Sequence, residues 1–495
     1  MSRHLDPRTP VLVGVGTAQR GVGDAPVGDA DLEPLDLMVE AVQHAMLDAG
    51  APGLARCVEW VAVPVGNWAY ADPGRLVARR IGADDAHTVR IEVGVPQQTP
   101  VQVAAQRIRR GELDAAVIVG GEALATRQRV TRAGGDPVET DQGPLEPDER
   151  WSPQGEIMTQ AEIDAGMWSP VEQYACIENA LGHAESVPPS EHLDQIADLW
   201  HRLNSVAVAN PDAAFATPRS TEFLRSAGPG NRPLAYPYAK WHSTQWSVDQ
   251  AAAMVMCSAA LAEELGVARD RWVFPHVLAE SSHSQSLSRR GELHRWPAMQ
   301  VLGRAAAQRL GAPLSQVPHV ELYSCFPSAV RVQQRELGLD PDGTPSITGG
   351  MAFAGGPFNN FTYQSTAAIV TRLRDDPGSL GMTTTVSGLL TKPAIAVWST
   401  DPAPEGEWVV DLAEAAEAAT TSRSATAHHD GEGTVATWTV TYDGDEASSA
   451  FVIADLDDGT RWVGTSSDAA LIERALRDGL IGDRVRIDDM RCRPV

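Results

Sequence analysis

Residues 92–121 read EVGVPQQTPVQVAAQRIRRGELDAAVIVGG, and this stretch decides the fold. Thr99 is a suitable N-cap, Pro100 suits the first helical position and Gly111 suits the residue after the last turn, so the sequence predicts a helix here. A continuous apolar run ending in two glycines follows, which is typical of a buried strand. A loop, a helix and a buried strand in this order indicate one unit of an α/β fold.

The same order of elements occurs a second time at residues 355–388, which read GGPFNNFTYQSTAAIVTRLRDDPGSLGMTTTVSG. Each copy has a glycine-containing loop, a helix with arginine in its last turn, and then an apolar strand. Such an internal repeat indicates a duplicated βαβαβ unit. Equivalent loops at the strand ends of paired α/β halves tend to face one pocket, so we expect the loops at Gly94 and Gly356 to lie together.

The patterns outside the two repeats divide the chain into four segments. Alternating strand and helix patterns cover residues 1–125 and 246–401, which we predict as the first and second α/β halves. Residues 126–245 are rich in Trp, Pro, Asp and Glu and contain helical patterns, which indicate an inserted, mostly helical subdomain. Residues 402–495 start within a DPAPEGE linker and then contain short alternating strands and tight turns, which predict a small OB-like β-barrel.

Charge limits the classes of partner. The 495 residues carry a formal net charge of −25, which repels nucleic acids and anionic lipids, so we expect neither as a partner. The OB-like domain has 19 acidic and 8 basic residues, so we expect it to contact a protein partner or the rest of the chain. The sequence has no apolar run of membrane-spanning length and no secretory-signal pattern at its start, which favours a cytoplasmic protein.

Residue usage also bears on ligands. The five cysteines have no metal-site spacing, so the sequence predicts neither a metal site nor a disulfide framework. Lysine occurs only at Lys240 and Lys392, and an anionic ligand would need a local basic pocket in so acidic a chain. We therefore consider these two lysines as candidate ligand contacts beside the alternative that both are ordinary surface residues.

The two halves and the insertion, about residues 9–400, resemble the thiolase superfamily. The similarity rests on VLVGVGTAQRG, VAAQRIRRGELDAAVIVGGEA, SVDQAAAMVMCSAALAEELG, VELYSCFPSAV and TGGMAFAGGPFNN. The chain looks most like sterol-carrier-protein-type thiolases and actinobacterial thiolase-like proteins, which are often labelled acetyl-CoA acetyltransferases and carry an extra C-terminal domain. The resemblance implies a five-layered fold, an acyl-CoA ligand with no tightly bound cofactor, and a homodimer formed through the first-half sheet edge.

The reactive side chains of thiolases do not carry over to this sequence. The nucleophilic cysteine that the family places before the first-half helix corresponds to Gly94. The activating histidine of the Gly-His-Pro loop corresponds to Gly356, which lies between Gly355 and Pro357. The second-half Cys-x-Gly motif reads Val386-Ser387-Gly388 here. Since all three side chains are absent, we expect no standard thiolase activity.

A fourth family motif, Asn-Glu-Ala-Phe or His-Asp-Cys-Phe, reads Tyr323-Ser324-Cys325-Phe326 in this chain. A related Tyr-Asp-Cys-Phe occurs in thiolase-like steroid side-chain aldolases, which also lack the cysteine and are proposed to use tyrosine. The resemblance makes Tyr323 the candidate acid/base, although Ser324 departs from that motif. The alternative is a packed tyrosine with a satisfied hydroxyl group, and we expect Cys325 to belong to the core.

Further residues are candidates for ligand contact. Asn359 and Asn360 begin a helix after the glycine-rich loop that holds Gly355, and they either cap the helix or donate to a thioester oxygen. His242 lies in YAKWHSTQW, where thiolases line the pantetheine path, and Lys240 is close enough in sequence to meet a CoA phosphate. We expect the ligand in a cleft bordered by the two glycine loops, Tyr323 and residues 236–246.

Three functions remain open at this point. The chain could be an enzyme of lipid or steroid metabolism that cleaves a 3-hydroxyacyl-CoA by a retro-aldol reaction, with Tyr323 as base and loop amides stabilising the enolate. It could instead be a non-catalytic acyl-CoA binder whose C-terminal domain engages a partner. The third alternative is an acyltransferase of unusual mechanism, because Gly94 provides no nucleophile.

Overall fold

The structure is a computed structural model that describes residues 5–21 and 32–495. The first half alternates strands and helices as predicted. Its elements are β1 (Pro10–Arg20), α1 (Pro34–Ala49), β2 (Trp60–Pro64), α2 (Pro73–Ile81), β3 (His87–Ile91), α3 (Thr99–Arg110) and β4 (Ala115–Ala123).

The insertion is mostly helical and contributes three short strands. Its elements are α4 (Leu124–Arg132), β5 (Glu149–Trp151), α5 (Gln160–Asp164), α6 (Pro170–Ala184), α7 (Pro189–Ala209), α8 (Thr221–Arg225), β6 (Pro233–Ala235) and β7 (Tyr238–Ala239).

After the insertion, strands and helices alternate again. The first of these strands belongs to the first sheet, and the second half follows it. These elements are β8 (Asp249–Ser258), α9 (Ala259–Glu264), β9 (Phe274–Glu280), α10 (Pro297–Leu310), β10 (His319–Glu321), α11 (Pro327–Leu337), α12 (Phe361–Asp375), β11 (Gly381–Ser387), β12 (Lys392–Ser399) and β13 (Trp408–Asp411).

The C-terminal segment is built mainly of strands. Its elements are α13 (Ala413–Ala418), β14 (Ala425–Thr426), β15 (His429–Asp443), β16 (Glu446–Asp455), β17 (Arg461–Ser466), α14 (Ala469–Asp478), β18 (Arg484–Asp489) and β19 (Arg491–Pro494).

Sheet topology confirms the internal repeat. The first sheet has the order β1-β8-β4-β2-β3-β5 and the second has the order β13-β9-β12-β11-β10. In each half the first strand, β1 or β9, pairs antiparallel with the last strand, β8 or β12. That last strand pairs antiparallel with β4 or β11, which in turn pairs parallel with β2 or β10. The two halves therefore repeat one strand order.

The elements form five layers, as predicted. Helices α1 and α2 cover the outer face of the first sheet through one apolar cluster. Helices α3 and α12 lie between the two sheets and share a second cluster with both. Helix α10, with α11 packed against it, covers the second sheet. The layering places the first turns of α3 and α12 at the centre of the molecule.

Each sheet has an additional strand at one edge. Strand β5 of the insertion pairs in parallel with β3, so the first-half edge that the resemblance assigns to a homodimer is occupied by the chain itself. Strand β13 pairs in parallel with β9. The sequence analysis assigned residues 408–411 to the C-terminal domain, whereas the structure places them in the second sheet. Such short strands form through pairing with a neighbour, so local pattern does not reveal them.

The C-terminal strands form a closed five-stranded barrel with the cyclic order β15-β16-β17-β19-β18. Helix α14 lies between β17 and β18 in the chain and packs on the barrel core. This arrangement confirms the predicted OB-like domain.

The barrel docks against both the insertion and the second half. The Thr437 hydroxyl on β15 donates to the backbone carbonyl of Cys176 in α6. The Arg461 side chain, which is 2% exposed, forms an ion pair with Asp455 and donates to the carbonyl oxygen of Arg290. A buried arginine shared between the barrel and the second half fixes the relative position of the two.

Candidate functional site

The loops that precede α3 and α12 meet at Gln97. Its amide oxygen accepts a hydrogen bond of 2.9 Å from the backbone N–H of Thr362 in the first turn of α12. Its amide nitrogen donates to the side-chain oxygen of Asn359 at 3.3 Å. A side chain from the first half therefore occupies the start of the second-half helix, and the two equivalent loops face each other.

Tyr323 lies beside this junction. Its backbone N–H donates to the Thr384 hydroxyl at 2.8 Å, and its ring packs edge-on against Phe361. Burial, followed by the Cys325 thiol, raises the pKa of Tyr323 above its usual range, although the nearby Gln97 side chain acts to lower it. A tyrosine that acts as a base at neutral pH would need a lowered pKa. The surroundings of Tyr323 raise its pKa instead. At neutral pH the hydroxyl is therefore protonated and is suited to donate a hydrogen bond.

Cys325 lies two residues further on, in the main apolar cluster of the second half. Burial raises the pKa of its thiol to about 12, although the Tyr174 side chain acts to lower it. A thiol in this state is not an effective nucleophile at neutral pH, because only the thiolate attacks. The structure thus places Cys325 where the sequence analysis expected it.

The two glycine positions of the missing thiolase residues are closed by packing. A Cβ atom at Gly94, which has a φ of +99°, would lie 2.9 Å from Pro153 Cβ. A Cβ atom at Gly356 would lie 2.3 Å from the Thr244 methyl group. Because real Cβ atoms essentially never approach this closely, neither a cysteine nor a histidine fits without displacing its neighbours.

The third motif ends in an unusual turn. Gly388, Leu389 and Leu390 all have left-handed φ angles, at +63°, +62° and +57°. The Arg290 guanidinium donates to the carbonyl oxygens of both leucines, at 2.7 and 2.9 Å. Arg290 is 3% exposed, and burial lowers its pKa to about 10. Consecutive left-handed leucines are strained and persist only where the surroundings hold them.

Lys392 follows this turn, and the structure buries it. The side chain is 1% exposed, and its ammonium nitrogen lies 3.1 Å from the carbonyl oxygen of Gly94. Burial lowers the pKa of Lys392. One of the two lysines is therefore an interior residue next to the position of the missing cysteine.

Neither of the two asparagines caps α12. Asn360 occupies the N-cap position but makes no side-chain capping hydrogen bond. It is 2% exposed, and neither its amide oxygen nor its amide nitrogen has a partner among the described residues. Its side-chain oxygen faces Gly120 on β4, where an added Cβ would lie 2.7 Å away. The Asn359 amide nitrogen is likewise buried without a partner among the described residues.

A cationic patch surrounds Trp241 on the insertion. The Arg219 guanidinium carbon lies 3.5 Å from the centre of the Trp241 ring, and the Lys240 ammonium lies 5.2 Å from it. The backbone N–H of Lys240 donates to the carbonyl oxygen of Arg232, so the backbone of a third basic residue lies next to Lys240. Within residues 5–21 and 32–495, none of the three side chains has a carboxylate within 4.0 Å. We call Arg219, Arg232 and Lys240 the cationic patch.

The segment after Lys240 leads from this patch to the glycine loop. The Thr244 N–H donates to the carbonyl oxygen of Cys325 at 3.0 Å. The Gly356 N–H donates to the carbonyl oxygen of Gln245 at 3.1 Å. Residues 240–245 therefore connect the cationic patch with the centre of the molecule.

His242 in the same segment does not face a ligand path. It is 1% exposed, its ring packs near Tyr238, and its Nδ1 accepts a hydrogen bond from the Ala239 N–H. Burial lowers its pKa to about 4. The imidazole is neutral in the fold and belongs to the interior of the insertion.

This burial predicts an acid-dependent loss of stability. The neutral form is favoured in the fold, so the contribution of His242 is full above pH 6.5 and is lost as the pH falls through about 4. A shift from 6.5 to about 4 corresponds to about 3 kcal/mol. Urea unfolding of His242→Gln at pH 7, 5.5 and 4.5 should show a weaker pH dependence than wild type. The exposed His183→Gln serves as control, and equal slopes for wild type and His242→Gln would contradict the prediction.

Gly355 lines a cavity that Gly94 and Tyr323 do not reach. A cavity of about 340 Å³ lies between the end of β1 and α12, and Gln250, Gly355 and Gln364 contribute to its walls. The Gln250 side-chain oxygen and both polar atoms of the Gln364 amide are buried without partners among the described residues. Gly94, Tyr323 and Gly356 do not line this cavity. Gly355 thus faces this cavity, whereas its neighbour Gly356 packs against Thr244.

Metal-binding clusters and membrane-spanning helices are both absent from residues 5–21 and 32–495. Among them, no three His, Cys, Asp or Glu side chains are grouped so that they could hold a metal ion. In the same part of the chain, no helix combines the length and the apolar character that crossing a membrane requires.

Comparison with known proteins adds to this picture. A family model described as "Thiolase-like protein type 1 additional C-terminal domain" matches residues 411–490. The crystal structure of a monomeric SCP2-thiolase-like protein type 1 from Mycobacterium smegmatis has a TM-score of 0.83 and 28% identity, and the match covers 99% of this chain and 100% of that one. The chain has a thiolase-like fold with this additional domain. No curated protein sequence matches it.

Two other solved structures are similar to this thiolase-like protein at lower identity. The Ltp2-ChsH2(DUF35) aldolase has a TM-score of 0.58 and 18% identity, with 79% of this chain and 98% of that chain covered. The acetyl-CoA acetyltransferase from Syntrophomonas wolfei has a TM-score of 0.55 and 16% identity, with 79% and 99% covered. At such identities the likeness concerns the fold alone.

Sequence reasoning missed three residues that shape the centre of this thiolase-like protein. Gln97 joins the two loops, Arg290 holds the left-handed turn, and Arg219 stacks on Trp241. No local signal distinguishes these side chains from surface glutamine and arginine. The rarity of lysine was the one available signal, and it drew attention to Lys392.

Proposed function

We propose that this thiolase-like protein binds coenzyme A or an acyl-CoA and does not form an acyl-enzyme. The observation that carries the proposal is the segment 240–245, which joins the cationic patch to the Gly356 loop. Four extended peptide steps, from Lys240 to Thr244, cover at most about 14 Å. A ligand with a polyanionic end and a long flexible arm matches a path that starts at three basic residues, which have no carboxylate partner in the described part of the chain, and ends at a central loop.

Charge supports the same ligand class. In a chain with a net charge of −25, a cluster of three basic side chains without carboxylate partners attracts an anion locally. Gly94 and Gly356 lack the cysteine and histidine side chains that would form and resolve a thioester intermediate. The close packing around both glycines also leaves no room for such side chains. The assignment of the acyl group to lipid or steroid metabolism rests on the resemblance to thiolases alone.

Titration calorimetry tests the proposal. We expect heat of binding and a rise in melting temperature with CoA, acetyl-CoA and 3-hydroxybutyryl-CoA, because a ligand that binds only the folded state stabilises it. Adenosine serves as the uncharged control and should give neither signal. Absence of heat and of a thermal shift with all three CoA compounds up to millimolar concentration would contradict the proposal.

Iodoacetamide should leave CoA binding intact. Cys57 is half-buried and the other four cysteines are buried, so we expect Cys57 to be alkylated first and slowly, because burial also raises its pKa. A radiolabelled acyl-CoA should likewise leave no covalent label on the chain. The measurement is peptide mapping by mass spectrometry combined with calorimetry of the alkylated protein. Loss of binding that maps to Cys325 would overturn our assignment of this residue to the core.

A second candidate function is retro-aldol cleavage of a 3-hydroxyacyl-CoA. The specific observation that favours it is the buried Tyr323, whose ring packs edge-on against Phe361 in the first turn of α12 and whose burial keeps the hydroxyl protonated by raising its pKa. Such a hydroxyl can donate to the enolate oxygen that forms when the C2–C3 bond breaks. In this role Tyr323 is a hydrogen-bond donor, whereas the sequence analysis had considered it as the base.

Tyr323→Phe separates binding from this reaction. The substitution removes one hydroxyl, so we expect acyl-CoA affinity to stay within a few-fold of wild type. Any cleavage of 3-hydroxyacyl-CoA should fall by about 10²–10³, the usual effect of deleting one donor to a developing oxyanion. Tyr442→Phe, in the barrel, serves as the matched control. Unchanged turnover in Tyr323→Phe would exclude Tyr323 from the chemistry.

A further inference from the structure

Lys392 differs from an ordinary lysine in its surroundings. It is 1% exposed, whereas long charged side chains normally keep their ends in water. In the described ranges 5–21 and 32–495 its ammonium nitrogen makes one hydrogen bond, to the Gly94 carbonyl oxygen, and has no carboxylate within 4.0 Å. A buried amine without a counter-charge favours its neutral form, which has a free electron pair.

The position of Lys392 adds a second, independent observation. It comes directly after the left-handed turn at residues 388–390, which Arg290 holds through two hydrogen bonds. The carbonyl oxygen of Arg290 is in turn held by the buried Arg461 of the barrel. A strained turn relaxes unless its surroundings hold it in place. Strained backbone that is held in this way is typical of functional positions.

The neighbours of Lys392 place it at the centre of the molecule. Its partner Gly94 precedes the loop in which Gln97 contacts both Tyr323 and the start of α12. Ile157 packs beside the Cα atoms of Gly94 and Gly388 and so closes one side of this region. The position that corresponds to the missing cysteine therefore lies next to a buried amine.

We propose that Lys392 is a nucleophilic amine that forms a Schiff base with a ketone or aldehyde carbonyl, of the class present in a 3-oxoacyl thioester. The electron pair of the neutral amine nitrogen adds to the carbonyl carbon, both protons of the nitrogen pass to the former carbonyl oxygen, the C–O bond breaks with loss of water, and a C=N bond remains. The step is neither an oxidation nor a reduction. This inference depends on the proposed function in one respect only, namely that the thioester is a CoA thioester.

Reductive trapping tests this inference on the wild-type protein. The chain is incubated at pH 7 with acetoacetyl-CoA, or with ethyl acetoacetate as a probe without CoA, in the presence of cyanoborohydride. Cyanoborohydride delivers hydride to the C=N bond and converts the adduct into a stable secondary amine. We expect one adduct per chain, mapped by peptide mass spectrometry to Lys392. The chain contains one other lysine, the exposed Lys240, which is the internal control.

We expect adduct at Lys392 and little or none at Lys240 at pH 7, because Lys392 is buried without a carboxylate partner in the described part of the chain, which favours the neutral amine. Lys392→Arg should give no adduct at residue 392. Labelling confined to Lys240 and the N-terminal amine would overturn the inference, even if Lys392→Arg failed to fold. Absent CoA binding together with Lys392 labelling by ethyl acetoacetate would overturn the proposed function and leave this inference standing.

Discussion

A chain that carries both Arg219→Glu and Lys240→Glu should bind CoA about 10–100-fold more weakly than wild type at low salt. Both side chains lie over Trp241 and have no carboxylate partner in the described part of the chain. Reversing two charges replaces attraction for the CoA phosphates by repulsion. Titration calorimetry at two salt concentrations gives the dissociation constants. The difference between the variant and wild type should shrink at high salt, because salt screens exposed charges.

The control for this experiment must change the net charge equally without touching the patch. Arg304→Glu combined with Arg79→Glu fulfils this condition, since Arg304 is exposed on α10 and Arg79 lies at the end of α2. We expect these two substitutions to leave CoA affinity within about 2-fold. Equal losses in both double variants would show that overall charge, and not the cationic patch, determines binding.

Restoring the thiolase side chains should destabilise the protein and should not restore thiolase activity. Gly356→His puts a Cβ 2.3 Å from the Thr244 methyl group, and Gly94→Cys puts one 2.9 Å from Pro153 at a φ of +99°. Overpacking costs about 1–3 kcal/mol, and a left-handed non-glycine residue costs about 1–3 kcal/mol more. We expect each variant to unfold at lower urea concentration and to show no thiolysis of acetoacetyl-CoA.

Substitutions at two other glycines are controls that distinguish the cost of backbone strain from the cost of overpacking. Gly82 has a φ of +79° with no atom near its Cβ position, and Gly228 has open space without a left-handed φ. Gly82→Cys should therefore show the conformational cost alone, and Gly228→His should be nearly neutral. A Gly94→Cys, Gly356→His double variant with wild-type stability would show that the centre can open, and a labelled acyl-enzyme in it would reinstate thiolase chemistry.

Much of the fold could be predicted from the sequence, because helices such as α3 and α12 carry caps and periodic apolar residues that are local properties. The four-segment division also has a local origin in composition and turn residues. Strands β5 and β13 were missed because they contain three and four residues and exist only through pairing with β3 and β9. A strand of this kind has no periodicity to detect.

The candidate site was less predictable for a different physical reason. Motif comparison located Tyr323, Gly94 and Gly356, but the protonation state of Tyr323 depends on burial by residues far away in the sequence. His242 and Asn360 have the residue types expected of ligand contacts, and packing turns both side chains inward. The protonation state, the burial and the hydrogen-bond partners of a side chain depend on how the layers assemble. A single sequence therefore indicates where these side chains are but not their chemistry.

The pairing of β5 with β3 also bears on how the protein reaches its native state. Val89 and Glu149, which are aligned in this pair, belong to the same chain, so the first sheet is completed within one molecule. When a sheet edge is completed by a second subunit, refolding includes a bimolecular step and its yield depends on protein concentration. Here the step is unimolecular, and the hydrogen-bonding groups of β3 are withdrawn from intermolecular strand pairing, which protects the refolding chain from aggregation along this edge.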